Sequence, residues 1–355
     1  MTVRVGVIGA SFARKAFLPA LATIDEAEVV AIASQRLERA RAAAEAFGVA
    51  DAYDDWRTML EACKPDLVCI ATPTDTHAPM ALAALEAGAH VLCDKPMALN
   101  QEESAAMLAR AEALGRIHMI DHELRFNPNR KRILELIQSG AIGEVRHVNI
   151  INVSAAMGDP ASRPEGDWWS LEERGGGRLG ANGSHQIDLI RFWLGDVASV
   201  GGVAATLVPD RVDRETGAAW TATADDFTRF TLKLRGGALA TVLISSTARH
   251  GVGNHTQIFG SEGTILLSDS DERLLVAKAG GDFEDQTVTD PNAELEGVGA
   301  GIWNVSVVSL MTELVGAVRE GRPLSWGATF EDGLRCQQVM DAVRRSSTER
   351  RWIDL

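Results

Sequence analysis

The feature that most constrains this chain is the rhythm of its first third, where short apolar runs alternate with helix-forming stretches. The runs are VRVGVI (3–8), EVVAIAS (28–34), DLVCIAT (66–72), HVLCD (90–94) and IHMID (117–121). Between them lie helical stretches at roughly 12–23, LERARAAAEAFG (37–48), about 54–62, APMALAALEAG (78–88) and about 101–114. Gly48 stands where a helix C-terminal glycine belongs. Strands alternating with helices predict right-handed βαβ units and a parallel sheet. The runs are apolar on both faces, as a sheet covered by helices on both sides requires.

After about residue 122 the pattern changes. A helix (129–139) leads to a strand near 144–153. A loop with Trp168, Trp169 and the glycines 175–177 follows, then a helix near 183–194. Residues 197–290 alternate apolar and polar, as in FTRFTLKLRGGALATVLISS, which predicts an antiparallel sheet with one covered face and one free face. Helices near 303–320 and 330–345 end the chain. At 355 residues the chain is too long for one ordinary core. We expect two domains, 1–121 for dinucleotide binding and 122–355 for substrate binding and oligomerisation.

The net charge of −14 argues against a nucleic-acid partner, which calls for a basic face. It leaves room for an anionic cofactor, because backbone N–H groups can hold a phosphate inside an acidic protein. Cys63, Cys69, Cys93 and Cys336 form no CxxC pair and read as free buried thiols of a reducing compartment. MTVRVGVIGA enters a strand without the pattern of a leader peptide. No apolar run reaches the roughly 18 residues of a membrane helix. The expected location is the cytoplasm, with no membrane partner.

Chemistry concentrates at the carboxyl ends of the first-third strands, where open α/β sheets bind ligands. The first turn, Gly9-Ala10-Ser11-Phe12-Ala13, joins a strand to a helix and can bring backbone close to a pyrophosphate. Only the first of the usual glycines is present, and a plain strand–helix turn is the alternative. The second strand ends in Ser34-Gln35-Arg36, 25 residues beyond Gly9, with no acid for a ribose 2′-hydroxyl. A hydroxyl and a guanidinium suit a 2′-phosphate, which favours NADP over NAD; otherwise Arg36 is a solvated helix-start residue. Two further strands end in ATPTDTH (71–77) and Asp94-Lys95-Pro96. His118 and His122 bracket a strand, which separates them by about 13 Å, so no metal site is expected.

The pieces VGVIGASFARKAFLPAL (5–21), ATPTDTHAPMALAALEAGAHVLCDKP (71–96), LRFNP (124–128), GGGRLGANGSHQIDLIRFWLG (175–195) and GATFEDGLRCQQVMDAVRRS (327–346) resemble the glucose–fructose oxidoreductase / inositol dehydrogenase / MocA-like family, in the family's order and over nearly the whole chain. The resemblance implies an α/β N-terminal Rossmann domain and an α+β C-terminal domain built on an open, mainly antiparallel sheet. It implies hydride transfer between NAD or NADP and a sugar, polyol or cyclitol. It makes Lys95 and His185 the catalytic residues, Lys95 by polarising a carbonyl or relaying a proton, with a surface lysine in a turn and a core or helix-capping histidine as the alternatives, and Pro96 a turn-fixing residue, often after a cis bond.

The same resemblance points to Gly9, Ala10, Ser11, Phe12, Ala13, Ser34, Gln35, Arg36, Ala71, Thr72, Pro73, His77, Asp94 and Lys95 for the cofactor. In the family an aspartate stands four residues before the histidine; here that position is Ala181. Arg125, Trp169 and Asp188 are candidates for substrate contact, with a structural ion pair, a packed domain junction and a helix-orienting role as their alternatives; Trp168 shares the choice of Trp169. The expected protein is an enzyme, with a non-catalytic cofactor- and sugar-binding sensor as the rival suggested by Ala181. The free sheet face is the expected contact of a homodimer or homotetramer.

Overall fold

The computed structural model describes residues 2–268 and 271–355, which form two compact units: 2–127 with Asp290–Arg335, and Pro128–268, 271–Thr289 with Cys336–Leu355. The expected boundary after residue 121 assigned everything beyond it to one domain. Instead Asp290–Arg335 returns to the N-terminal unit. The return is a long-range packing event that no local pattern announces.

The first unit carries six parallel strands: β1 (Val3–Ile8), β2 (Ala27–Ala33), β3 (Asp51–Tyr53), β4 (Leu67–Ile70), β5 (His90–Cys93) and β6 (His118–Ile120). Their order is β3-β2-β1-β4-β5-β6, so the strand order reverses between β1 and β4. That reversal opens a crevice at the carboxyl ends, the usual ligand position of such sheets. Strands β4 and β5 are buried at every position but His90, because helices cover both faces. One apolar cluster joins Val5, Val7, Phe17, Leu18 and Leu21 to Val307, Met311 and Leu314. The other joins Ile8, Val68, Ile70, Val91 and Cys93 to Met59, Leu85 and Met107.

Helix Ile302–Glu320 is long and apolar enough to cross a membrane by length and composition alone, which the sequence reading had not anticipated. Here it is a core helix of the first unit, with Val305, Val307, Leu310, Met311, Leu314 and Val315 buried. The expected single helix at 12–23 is two short ones, Phe12–Lys15 and Phe17–Leu21, broken at Ala16. Gly48 ends helix Leu37–Phe47 in the left-handed conformation that its lack of a Cβ allows.

The second unit holds β7 (Val145–Val153), β8 (Val197–Ala205), a hairpin of β9 (Asp210–Val212) and β10 (Ala219–Thr221), then β11 (Phe227–Leu234), β12 (Leu239–Ser245), β13 (Gly253–Gly260), β14 (Gly263–Ser268), β15 (Arg273–Lys278), β16 (Glu284–Asp285) and β17 (Ile353–Asp354). Nine of these form one sheet, β16-β15-β14-β13-β7-β12-β11-β8-β17. Every pairing is antiparallel except β7 with β12.

Alternation sends Val148, Ile150, Phe230, Leu232, Val242, Ile244 and Ile258 into the core. The opposite face presents Val203, Arg229, Thr231, Leu239, Leu243, Ile151 and Phe259. A one-residue slip would exchange the two sets, so the buried face fixes the register.

Candidate active site

The first turn is shaped by crowding between β1 and β4. Gly9 has φ +105°, and a Cβ there would stand 2.1 Å from the Ala71 carbonyl oxygen. Only glycine fits. Its N–H donates to the Ala33 carbonyl at 2.8 Å, which ties the turn to the end of β2. Ala10 and Ala13 are buried, so they offer backbone rather than side chains; Ser11 is exposed and Phe12 half-buried. Phe12 packs edge-on against Phe17 at 5.4 Å.

At the end of β2, Ser34 is half-buried and donates its N–H to the Tyr53 carbonyl at 3.0 Å, while Gln35 and Arg36 are exposed. Arg36 is also the N-cap of helix Leu37–Phe47. Arg39, not singled out from the sequence, donates to Ser11 Oγ at 3.5 Å, so a second exposed guanidinium reaches the first turn. The signal for it was its spacing, three residues after Arg36 at the start of a helix.

The loop after β4 is tied together internally. Thr76 Oγ1 donates to the Thr72 hydroxyl and the Pro73 carbonyl, both at 2.7 Å. His77 was expected to touch the cofactor. Its 1% exposure argues against that. One ring nitrogen lies 2.9 Å from the Thr72 carbonyl and the other 2.9 Å from the Pro96 carbonyl. His77 ties this loop to the Lys95-Pro96 turn and acts on its shape.

That turn follows β5 and contains a cis bond between Lys95 and Pro96. It precedes helix Gln101–Ala113, which a capping box starts: Asn100 Oδ1 accepts from Glu103 N–H, and Glu103 accepts from Leu99 N–H. Asp94 Oδ1 accepts the Lys95 N–H at 2.8 Å and lies 3.5 Å from Lys95 Nζ. Lys95 is 11% exposed at its side chain, with its ammonium 5.7 Å from the centre of the Phe12 ring. Burial works against the positive charge. The carboxylates of Asp94, Glu123 and Asp121 together outweigh it and hold the Lys95 pKa above its ordinary value.

Asp121 and Glu123, overlooked in the sequence, are thus parts of this site. Asp121 is fully buried and follows β6; its N–H donates to the Cys93 carbonyl at 2.9 Å. Glu123 is 2% exposed. Their position became visible only once β6 was laid beside β5. His118 is occupied differently: its Nδ1 accepts the Phe330 N–H at 3.0 Å and its ring lies 4.8 Å from that of Phe330.

Arg125 is 6% exposed and donates to Asp332 Oδ1 at 3.0 Å and the Gly327 carbonyl at 3.2 Å, while its own carbonyl accepts from Trp326 Nε1. Of its two expected roles, the structural ion pair describes it.

In the second unit the residues around Ala181 form a π-helical turn, Leu179–Gly183, continuing into helix Ser184–Leu194. One oxygen of Asp225 accepts the N–H groups of Arg178 (3.1 Å) and Leu179 (2.8 Å), anchoring the turn. Burial pushes the Asp225 carboxyl up to about 6, against the pull of those two hydrogen bonds. His185 and Asp188 are buried on the helix, 2% and 1% exposed, and Cys336 Sγ lies 3.9 Å from Asp188 Oδ1. Gly176 passes so close to the Trp168 and Trp169 carbonyls that a Cβ would stand 2.4 and 2.6 Å from them. The two indoles contact each other at 4.3 Å, both half-buried.

A side-chain-free approach at Gly9, a basic strand end at β2 and a buried lysine beside the crevice of a 3-2-1-4-5-6 sheet fit a dinucleotide. They define a nucleotide-dependent oxidoreductase of Rossmann architecture. Residues 3–122 match the GFO_IDH_MocA family, described as an oxidoreductase family with an NAD-binding Rossmann fold, and residues 130–266 match the GFO/IDH/MocA C-terminal domain. The chain belongs to the GFO/IDH/MocA oxidoreductase family.

Levoglucosan dehydrogenase of Pseudarthrobacter phenanthrenivorans is 29% identical, covering 99% of this chain and 98% of the relative. An uncharacterised oxidoreductase of Rhizobium meliloti, ORF334, is 30% identical over the same shares. Among solved structures, levoglucosan dehydrogenase in complex with NADH and levoglucosan superposes with a TM-score of 0.90 at 27% identity, covering 100% of this chain and 99% of that one. An oxidoreductase domain protein from Kribbella flavida superposes at 0.89 with 31% identity, 99% of each chain covered.

Proposed function

We propose that this protein is an NAD(P)-dependent dehydrogenase that moves a hydride between the nicotinamide and a CH–OH carbon of a sugar, polyol or cyclitol, with proton transfer by Lys95 and His185. The observation that carries the proposal is the setting of Lys95. It is largely buried, paired with Asp94 and close to Phe12, at the strand ends that belong to a nucleotide. A bound nicotinamide supplies the hydride chemistry; the chain supplies position and protons. Gly9–Ala13, Ala71–Pro73 and Asp94-Lys95 would hold it. In the alcohol-forming direction the Lys95 ammonium donates to the developing alkoxide, which a raised pKa makes its resting form.

NADP is the preferred form in this reading, on the strength of Ser34, Arg36 and Arg39 and the missing acid at the end of β2. We assign 1–121 to the dinucleotide and, within 122–355, the second unit to substrate and to self-association through the free sheet face. Trp169 and Asp188 remain the proposed substrate contacts. The four free, buried cysteines support a reducing, cytoplasmic setting.

A sensor that binds nucleotide and sugar without turnover is the second reading, favoured by Ala181 where the family carries a carboxylate. Titration with NAD(H) and NADP(H), then an absorbance screen over sugars, polyols and cyclitols, separates the two. Turnover with any of them supports the dehydrogenase; cofactor binding without turnover supports the sensor.

A further inference from the structure

The helical turn that leads to His185 carries a cation without a partner. Arg178 is half-buried, and its Nε is shielded from solvent with no hydrogen-bond partner among the described residues. Its guanidinium makes no ion pair among them either. The two fully buried arginines of the same unit behave differently: Arg130 holds Glu272 at 2.7 Å and Arg211 holds Asp226 at 3.4 Å. A charge taken out of water without a counter-charge costs far more than one that is paired.

Burial opposes the charge of Arg178, the like charge of Arg163 adds to that, and Asp225 favours it. Asp225 has one oxygen committed to the backbone N–H groups of Arg178 and Leu179. Arg163 lies 3.7 Å from Asp167, on the loop that goes on to Trp168 and Trp169. Among the described residues the two guanidinium groups thus have one ion pair between them, that of Arg163 with Asp167.

Residues three and four apart are neighbours on a helix surface. Arg178 precedes Ala181 by three and Ala181 precedes His185 by four, and within the turn the Ala181 N–H donates to the Gly177 carbonyl at 3.1 Å. A carboxylate at 181, the residue type that the family carries there, would stand beside Arg178 and neutralise it. The buried methyl of Ala181 leaves the charge open.

We propose that the substrate brings the counter-charge: this chain acts on an anionic sugar, whose carboxylate or phosphate is held by Arg178 with Arg163 beside it. The inference rests on the dehydrogenase reading above and names the substrate class for it. A guanidinium fork takes two oxygens of such a group at once. No fixed carboxylate at 181 competes for it. A neutral sugar leaves the guanidinium uncompensated, so the site discriminates by charge.

The test uses the full chain with reduced nicotinamide present. Calorimetric titration compares glucuronate, gluconate and glucose 6-phosphate with neutral glucose and glucitol, and turnover is measured over the same panel. The anionic members should bind about tenfold to a hundredfold more tightly, the range of a charge-assisted contact. Molar salt should shrink the difference. Glucuronate or gluconate ahead of glucose 6-phosphate assigns a carboxylate, and the reverse order a phosphate. Arg178→Met should remove the difference, Arg178→Lys should keep part of it, and Ala181→Asp should shift the preference toward the neutral members.

A merely structural Arg178 would lower the melting temperature of Arg178→Met and leave the ratio of anionic to neutral affinity where it was. That result, or no advantage of the anionic over the neutral members in the unmodified protein, overturns the inference, and the second comparison stands even where a variant fails to fold. Anionic sugars that bind without turnover keep the anion site and discard the dehydrogenase; turnover of neutral sugars alone does the reverse.

Discussion

At the scale of single residues, the site is a contest between burial and charge. Lys95 would lose its proton easily in an apolar pocket; three carboxyl groups reverse that. At the end of β2 the question is which nucleotide the surface admits. In the proposed reading Ser34 and two exposed guanidinium groups suit a 2′-phosphate, although the levoglucosan dehydrogenase structure named above carries NADH. We predict tighter binding of NADP than of NAD, by about tenfold or more, as expected when a charge-assisted contact is worth some 1.5–3 kcal/mol. Ser34→Asp should erase or invert the order, because it restores an acceptor for the 2′-hydroxyl and repels the phosphate. Calorimetric titration of both proteins with both cofactors checks this; NAD binding more tightly than NADP to the unmodified chain would contradict it.

Residue-level legibility followed how local each signal was. Lys95, Gly9 and Pro96 could be read because a strand end and a turn announce them. Asp121 and Glu123 could not, since nothing in IDHE reveals that β6 sets them beside Asp94. The partners of Arg125 and His77 were hidden for the same reason: Asp332 and the Pro96 carbonyl come beside them only in the fold.

At the scale of elements, strong periodicity was legible and short or broken pieces were not. Strand β3 has three residues and no apolar run, so DAY passed as loop. The helix after β1 breaks at Ala16 although its sequence is apolar and helix-compatible, and we have no local reason for the break. The π-helical turn at Leu179–Gly183 was likewise invisible, since its anchor, Asp225, lies over forty residues away.

That anchor gives a pH prediction. The folded pKa of Asp225 is raised from 3.8 to about 6, so the native state binds its proton more tightly than the unfolded chain does. Its contribution to stability is therefore full below the unfolded value and is lost as pH rises through about 6. Asp225→Asn keeps an oxygen for the two N–H groups and removes the charge. The variant should gain stability relative to the unmodified protein between pH 5 and pH 8, by about 1–2 kcal/mol, at about 1.4 kcal/mol per pKa unit with a discount for partial exposure. Thermal melts at the two pH values check it; a difference independent of pH would contradict it.

At the scale of the whole molecule, the class of each unit was legible from alternation alone, period two for the mixed sheet and βαβ for the parallel one. The membership of residues 290–335 was not, because helix Ile302–Glu320 joins the first core through side chains nearly three hundred residues from their partners. The nine-stranded sheet leaves a face on which Leu243, Ile151 and Phe259 are only half-buried beside exposed Val203 and Leu239. Faces of this kind are covered in stable proteins, and a two-fold self-contact is the common solution. Light scattering at micromolar concentration should give the mass of a dimer or tetramer; the 38.1 kDa of one chain would contradict it.

The central claim is that the proton chemistry of a nicotinamide-dependent dehydrogenase runs through Lys95, and steady-state turnover of Lys95→Ala beside the unmodified protein tests it most directly, once the screen has supplied a substrate. The side chain sits at a turn following β5 rather than in an apolar cluster, so the variant should still melt cooperatively, and its cofactor affinity should fall far less than its turnover. Its kcat should fall roughly a hundredfold or more, in line with the loss of a positioned acid–base group. Equal turnover in the two proteins, with both folded, would mean that the chemistry lies elsewhere.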